Sequence, residues 1–600
     1  MDGGKAPREA PRDAPATAPP VKAPSRFRAW VRGNEIGLVL VAAVVGVLAG
    51  LVVTVIGWAA QGLHVLLFGA DDGHLSAMAA LGSPWHAALP ACGGAILGAY
   101  LLWARGRKVR PLVDPIEANA LHGGRMSIRD SVIVVLQNLV SNGFGASVGL
   151  EAAYTQMAGG LASRLGTAFE MRRGDLRMLV GCGAAGAIAA AFNAPLTGAF
   201  YAFELIIGTY SVVTLAPVVA AALCGTFVAR FLGAAPFLIE VGTPGTITAP
   251  DYPPAILLAI LAAGLGIAIM KGVTTVERGV RGSGLPAPLR PVAGGLVVGA
   301  LALATPQVLS SGHGALHLQL DLPASAGALL LVLALKALAS AVSIGSGFRG
   351  GLFFASLFMG ALLGKLFADV APLLFAGTAL PAVTFAIVGM SSLAVTVVGG
   401  PMTMTFLALE MTGDFPITAL ALAAVVTASL TARKTFGYSF ATWRFHLRGE
   451  NIRSAHDIGW IRNLTVGRMM RTDVRTATLG TSLKTFRRDF PLGSAQRVVV
   501  VDAQDAYAGI VLVSDAYSDT ATDPEARIDD LLRWGDAVLL PQMSAREAAG
   551  LFDSAESEAL AVIDGPKTRN VVGLLTESHT LRRYSEELEM RRREAAGETA

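Results

Sequence analysis

Runs of apolar residues with hardly a fixed charge, near 36–60, 86–103, 213–229, 254–270, 291–309, 326–342, 351–368, 381–398 and 416–432, leave this chain few ways to fold. Each approaches the roughly 20 residues needed to cross a bilayer core. The chain is 53% hydrophobic and 15% charged, against roughly 25% charged for an ordinary soluble domain, so water could not cover the surface these runs would expose. They predict an all-α polytopic membrane protein. The chain also carries 68 glycines and 30 prolines, and several of the runs are interrupted by them. Lipid tolerates irregular backbone only where it is buried or lines a cavity, so broken helices are expected.

The net charge of +4 points to no nucleic-acid partner, and the placement of the charges says more. Basic clusters at Lys22 to Arg32, Arg105 to Arg110, Arg172 to Arg177 and Arg278 to Arg290 flank apolar spans. Under the positive-inside rule these are cytoplasmic ends, which places both termini in the cytoplasm of a bacterial-type inner (plasma) membrane. Residues 1–33 are too polar and Pro/Ala-rich for a signal peptide and read as a disordered cytoplasmic tail. Cys92, Cys182 and Cys224 stand singly in apolar surroundings without ligand spacing, so buried thiols are expected and neither a disulfide nor a metal site. No HExxH or GxxxxGK[ST] motif occurs, and no His/Cys cluster; neither an enzyme nor a cofactor is expected.

The membrane region matches itself. Residues 145–157, GASVGLEAAYTQM, lie over 347–359, GFRGGLFFASLFM, pairing Gly145 with Gly347, Gly149 with Gly351, Leu150 with Leu352 and Met157 with Met359. Further on, 193–204 (NAPLTGAFYAFE) lies over 399–410 (GGPMTMTFLALE), pairing Pro195 with Pro401, Thr197 with Thr403, Phe200 with Phe406 and Glu204 with Glu410. Duplicated halves with Gly-interrupted segments at corresponding positions suggest a transporter whose site lies where those segments meet near the bilayer midplane.

Each glycine-rich break precedes a run of helix formers, so bare backbone N–H groups and the positive end of a helix dipole project into the interior. That arrangement suits an anion, and glycine lets backbone approach it closely. Glu151 follows the first break directly, and an ionisable residue within a membrane segment is a functional candidate by default. Its carboxylate would compete with an anion for one seat and leave on protonation. The plainer alternative is a buried acid paired with an arginine. Glu204 and Glu410, each ending a repeat unit, fit structural hydrogen bonding or, for Glu204, a proton relay.

At these residues the sequence resembles the CLC family of chloride channels and chloride/proton antiporters, over about 36–449. GASVGLEAAYTQ resembles the family's glutamate-bearing element with Glu151 at the gating position, AAFNAPLTGAFYAFE and GGPMTMTFLALEMTGDF resemble its two proline-containing helix starts, and GGLFFA and SGHGAL match further elements. The resemblance implies two inverted repeats of tilted and broken helices, a homodimer embedded in lipid, and one anion pathway per subunit. It further implies that Gly149, Leu150 and Ala152, with Gly351, Leu352, Phe353 and Phe354, supply the anion-binding backbone and pore lining. The sequence departs from the family at the inner gate. The loop KVRPLVDPIEANALHGG offers no serine ligand, the inner-gate tyrosine position falls on Ala441, and the internal proton-accepting glutamate falls on Leu205. These losses favour a gated channel or a weakly coupled transporter of chloride or a similar anion over a tightly coupled chloride/proton antiporter. A non-conducting membrane sensor regulated through its tail is the alternative.

After Gly449 the composition turns soluble. A linker at 450–465 is expected, then a cytoplasmic α/β region at 466–582 and a charged tail at 583–600. VVVVDAQDAYAGIVLVSD (498–515) is similar to ALAVIDGPKTRNVVGLLTE (559–577), each reading as a hairpin turning after Asp502 or Asp564. The region resembles a degenerate tandem CBS pair. Ser514 is followed by Tyr517 and Thr576 by His579 where nucleotide-binding pairs have aspartate, so a dimer-stabilising role without a nucleotide is expected.

Overall fold

The computed structural model describes residue 31 and residues 33–70, 74–104, 112–233, 247–321, 324–374, 381–448, 464–518, 523 and 525–596. The N-terminal tail expected at 1–33 and the linker expected at 450–465 lie almost wholly outside them.

Among the described residues, nine helices are long and apolar enough to cross a membrane. The membrane part runs through α1 (Glu35–Phe68), α2 (Leu89–Ala104), α3 (Pro115–Leu121), α4 (Ile128–Gly143), α5 (Glu151–Ala168), α6 (Arg173–Phe192), α7 (Pro195–Tyr201, continued by a π turn, Ala202–Ile207) and α8 (Val212–Phe231). It continues through α9 (Tyr252–Gly282), α10 (Arg290–Ala304), α11 (His313–Asp321), α12 (Ala326–Ser346), α13 (Phe353–Leu374), α14 (Ala382–Val398), α15 (Pro401–Thr412), α16 (Phe415–Thr435) and α17 (Phe440–Leu447). The internal match becomes structure here. The break between α4 and α5 corresponds to that between α12 and α13, while α7 and α15 both open on a proline at the first helical position, where a missing N–H costs nothing.

The two halves face each other. Gly149 and Gly351 form an antiparallel backbone bridge, Gly149 N donating to Gly351 O at 2.9 Å and Gly351 N to Gly149 O at 3.2 Å. α7 packs on α15, and each is capped by the other half's glutamate.

Two expectations need correction. Helix α6 was absent from the apolar runs, yet it is the most enclosed of the spans, with 83% of its apolar window buried. It is built from Gly and Ala rather than Leu and Val, which lowers its hydropathy while letting neighbours approach: a Cβ at Gly183 would meet Ala158 O at 2.6 Å. Of the three thiols, only Cys182 is buried; Cys92 is exposed, because a face turned to lipid is as apolar as a core.

The C-terminal region holds two units of one pattern. In the first, β1 (Thr476–Thr478), α18 (Leu483–Asp489), β2 (Arg497–Val501) and β3 (Tyr507–Leu512) form a three-stranded sheet in order β1-β2-β3, with β1 parallel and β3 antiparallel to β2. In the second, α19 (Ala545–Ala555) precedes the antiparallel pair β4 (Ala559–Ile563) and β5 (Val571–Thr576), and a parallel bridge from Leu539 to Val562 stands where β1 stood. The expected hairpins are both present, and Asp502 and Asp564 each anchor their turn: Asp502 Oδ1 accepts from Ala506 N at 2.9 Å and Asp564 Oδ1 from Asn570 N at 3.0 Å. The charged segment expected to begin at 583 instead continues α20 (Glu577–Ala596), a helix that starts at the end of β5.

Candidate functional site

A cavity of about 1330 Å³ enters the membrane part between the halves and reaches Glu151. Its deep end is made by the two glycine breaks. Glu151 opens α5 and is only 5% exposed. Its carboxylate accepts from its own N–H and from the N–H of Phe354 in the opposite half, while Oε2 keeps no hydrogen-bond partner. The acid of one repeat therefore lies over the first turn of α13 in the other. Glycine is required at 149, where a Cβ would fall 2.0 Å from Glu151 Oε2, whereas one at Gly351 would meet the same atom at an ordinary 3.6 Å.

Of the residues expected to line an anion pathway, Ala152, Gly351, Leu352 and Phe353 line this cavity, with Glu151. Leu150 turns its side chain into a cluster with Ile56, Val135 and Ala153. The Phe354 ring packs away, stacked on His313 at 3.4 Å and on Phe192 at 6.1 Å, so that only its amide faces Glu151. Ala441 lines the cavity on α17, and Leu205 lines it from the π turn. Glu204 lines it too, but its carboxylate is fully engaged at the start of α15, accepting from Met402 N at 2.9 Å, Thr403 N at 2.8 Å and Thr403 Oγ1 at 2.6 Å. Glu410 does the same for α7 through Leu196 N, Thr197 N and Thr197 Oγ1, at 2.8, 2.8 and 2.7 Å.

Four side chains escaped the sequence reading. Tyr201 ends α7 and lines the cavity beside Thr155, one helical turn after Glu151. Asp114 caps α3, its Oδ1 accepting from Glu117 N at 2.8 Å, and its carboxylate faces the cavity near Arg444 and Arg448. Its signal was an acid directly before a proline at a helix start. Arg349 comes from the second break and lines the cavity. Lys336, in the middle of α12, is wholly buried and donates to three carbonyls, Val308 O at 3.1 Å, Leu309 O at 3.5 Å and Ser310 O at 2.7 Å. The turn it gathers also touches the first break, because Asn142 Nδ2 bonds both Ser310 Oγ at 3.0 Å and Val148 O at 2.8 Å. An intramembrane lysine was itself a legible signal.

At the other end the cavity is rimmed by Arg278 and Arg281 of α9, Arg433 of α16, Arg444 of α17 and Arg448 directly after it. Arg448 pairs with Glu117 at 3.0 Å and Arg281 with Glu277 at 2.5 Å. Basic residues at the mouth of a narrow, low-dielectric cleft raise the local concentration of anions.

Known proteins share this architecture. A ClcB-like protein of Ralstonia nicotianae is 33% identical over 381 residues, covering 62% of this chain and 87% of its own length. The voltage-gated ClC-type chloride channel ClcB of Escherichia coli is 30% identical over 398 residues, 66% of this chain and 95% of that protein. Among solved structures, a slow cyanobacterial Cl-/H+ antiporter superposes with a TM-score of 0.60 at 21% identity, covering 68% of this chain and 97% of that one. A eukaryotic CLC transporter gives 0.55 at 18% identity over 90% of this chain and 97% of its own, so the shared fold reaches into the C-terminal region. The voltage gated chloride channel family model matches residues 92–433, the stretch that contains both glycine breaks and both glutamate caps, and this chain belongs to that CLC family.

Proposed function

We propose that the protein conducts chloride or a similar small anion through this cavity, and that Glu151 is the protonatable gate. The observation that carries the reading is the Glu151 carboxylate lying over the start of α13 with one oxygen unpartnered: it takes the amide of Phe354 that a permeating anion would take. Protonation removes the charge that holds it there, so acid opens the path. Leu205 cannot carry a proton and Glu204 is held by three donors on α15, which favours a channel or a weakly coupled transporter over a tightly coupled antiporter. The basic rim supports a cytoplasmic mouth under the positive-inside rule, with both termini on that side of a bacterial inner membrane. The two related units, a βαββ unit and an αββ unit with a parallel bridge in place of the first strand, support a CBS-like pair that steadies a homodimer without needing a nucleotide.

Purified protein in liposomes decides the matter. Wild-type protein is expected to dissipate a chloride gradient faster as the medium is acidified, with proton movement well below stoichiometric. Glu151→Gln is expected to lose that pH dependence. A variant that keeps the wild-type pH profile refutes the gate, and vesicles that hold their gradient refute conduction and favour the non-conducting sensor.

A further inference from the structure

Among the polar groups that line the cavity, a buried amide is left unused by that reading. Asn138, on α4, lines the cavity and is 1% exposed, and neither its Nδ2 nor its Oδ1 has a hydrogen-bond partner. Buried amides are nearly always bonded, so an orphan in a native structure calls for a reason. The second glycine break supplies the context. Arg349 N donates to Ser141 Oγ at 2.9 Å, and Arg349 Nε donates to Gln137 Oε1 at 3.2 Å. Residues three and four apart share a helix face. Val134, Asn138 and Ser141 thus form one stripe on α4; the Arg349 backbone sits against it at Ser141, its guanidinium is held at the flank of the stripe by Gln137, and Arg349 lines the cavity with Asn138.

We propose that the Asn138 amide and the Arg349 guanidinium form a side-chain subsite for a small monovalent anion, on the way to Glu151. The proposal rests on the cavity being an anion pathway. Its chemistry is complementary. Asn138 Nδ2 offers two N–H donors, and the Gln137 contact on Nε fixes the guanidinium plane while leaving its Nη groups for a ligand. A neutral amide beside one cation holds an anion without trapping it, as conduction requires.

The rival explanation is a packing defect, in which case replacing the amide with an apolar side chain leaves ligand binding untouched. Chloride and nitrate are titrated calorimetrically into full-length protein in detergent, and the melting temperature is followed with and without chloride. Asn138→Leu is expected to melt no lower than wild type without chloride, yet to bind chloride at least about ten-fold more weakly, the effect of one lost ligand hydrogen bond, and to lose most of the chloride-induced rise in melting temperature. Arg349→Gln is expected to weaken binding similarly, and the double variant to add little, since both act on one site. Should Asn138→Leu fold poorly, Asn138→Ser reads out the same comparison. Unchanged chloride affinity in either folded variant overturns the subsite. Binding is measured at equilibrium, so a wild type that bound chloride but failed to carry it would sink the conduction reading and leave this test decisive.

Discussion

A Cβ placed on Gly149 has the Glu151 carboxylate as its three nearest atoms, at 2.0, 2.8 and 3.0 Å. The nearest clash is thus with a movable side chain, so Gly149→Ala is expected to displace the carboxylate. Chloride efflux from vesicles is then expected to be nearly as fast at neutral as at acid pH, resembling a gate held open; efflux that stays strongly acid-dependent would show that the acid sits elsewhere. Asp114 allows a similarly clean change at the mouth. Asparagine caps a helix about as well as aspartate, so Asp114→Asn keeps α3 intact and removes only a negative charge facing the pathway. The half-saturating chloride concentration from that side is expected to fall severalfold with the melting temperature unchanged. What was legible at this scale follows from sequence proximity. Glu151 stands beside its own glycine break and could be found. Asp114, Asn138, Tyr201 and Arg349 come from four separate elements and share no spacing, and only the folded chain brings them to one cavity.

Between elements, the two halves are tied by reciprocal caps. Glu204 reaches the first turn of α15 and Glu410 that of α7, and each carboxylate accepts two backbone N–H groups and a threonine hydroxyl. An anionic cap at a helix start is favoured by both hydrogen bonding and the dipole. Glu410→Gln and Glu204→Gln are each expected to cost about 1–2 kcal/mol of stability, one charge-assisted bond's worth. If Glu204 is a cap and not a relay, Glu204→Gln leaves the pH profile of flux in place, and a profile flattened as in Glu151→Gln would restore the relay. Lys336 plays a comparable part for the turn at 308–310. Lys336→Met orphans three carbonyls in a dry interior and is expected to cost about 2–3 kcal/mol, lowering the melting temperature in detergent. The paired glutamates were visible in the sequence as a repeat match, but their exchange of partners was not. A match between halves states equivalence, and only the inverted packing of α7 on α15 turns equivalence into contact.

Across the whole molecule, the proposed gate and the C-terminal region are expected to answer acid separately. Asp564 holds the β4–β5 turn with hydrogen bonds from Thr568 Oγ1 at 2.7 Å and from the side chain and backbone of Asn570, each at 3.0 Å. The Thr568 bond, ahead of the Asn570 bonds, pulls its pKa below the usual carboxylate value. A carboxylate depressed in the folded state adds stability above its unfolded pKa and loses it only as the pH falls through the lower folded value. The turn is therefore expected to stay formed while the medium is brought from neutral to mildly acid. Thr568→Val removes the leading bond, so the C-terminal region should become susceptible to proteolysis at a higher pH than in wild type. The effect should be small, because the turn is exposed. If Glu151 alone sets the acid response, the chloride flux profile of Thr568→Val superimposes on that of wild type. A flux profile displaced in step with proteolytic opening would instead make the C-terminal region a second acid sensor acting on the pore, through the contact that α20 makes with α6.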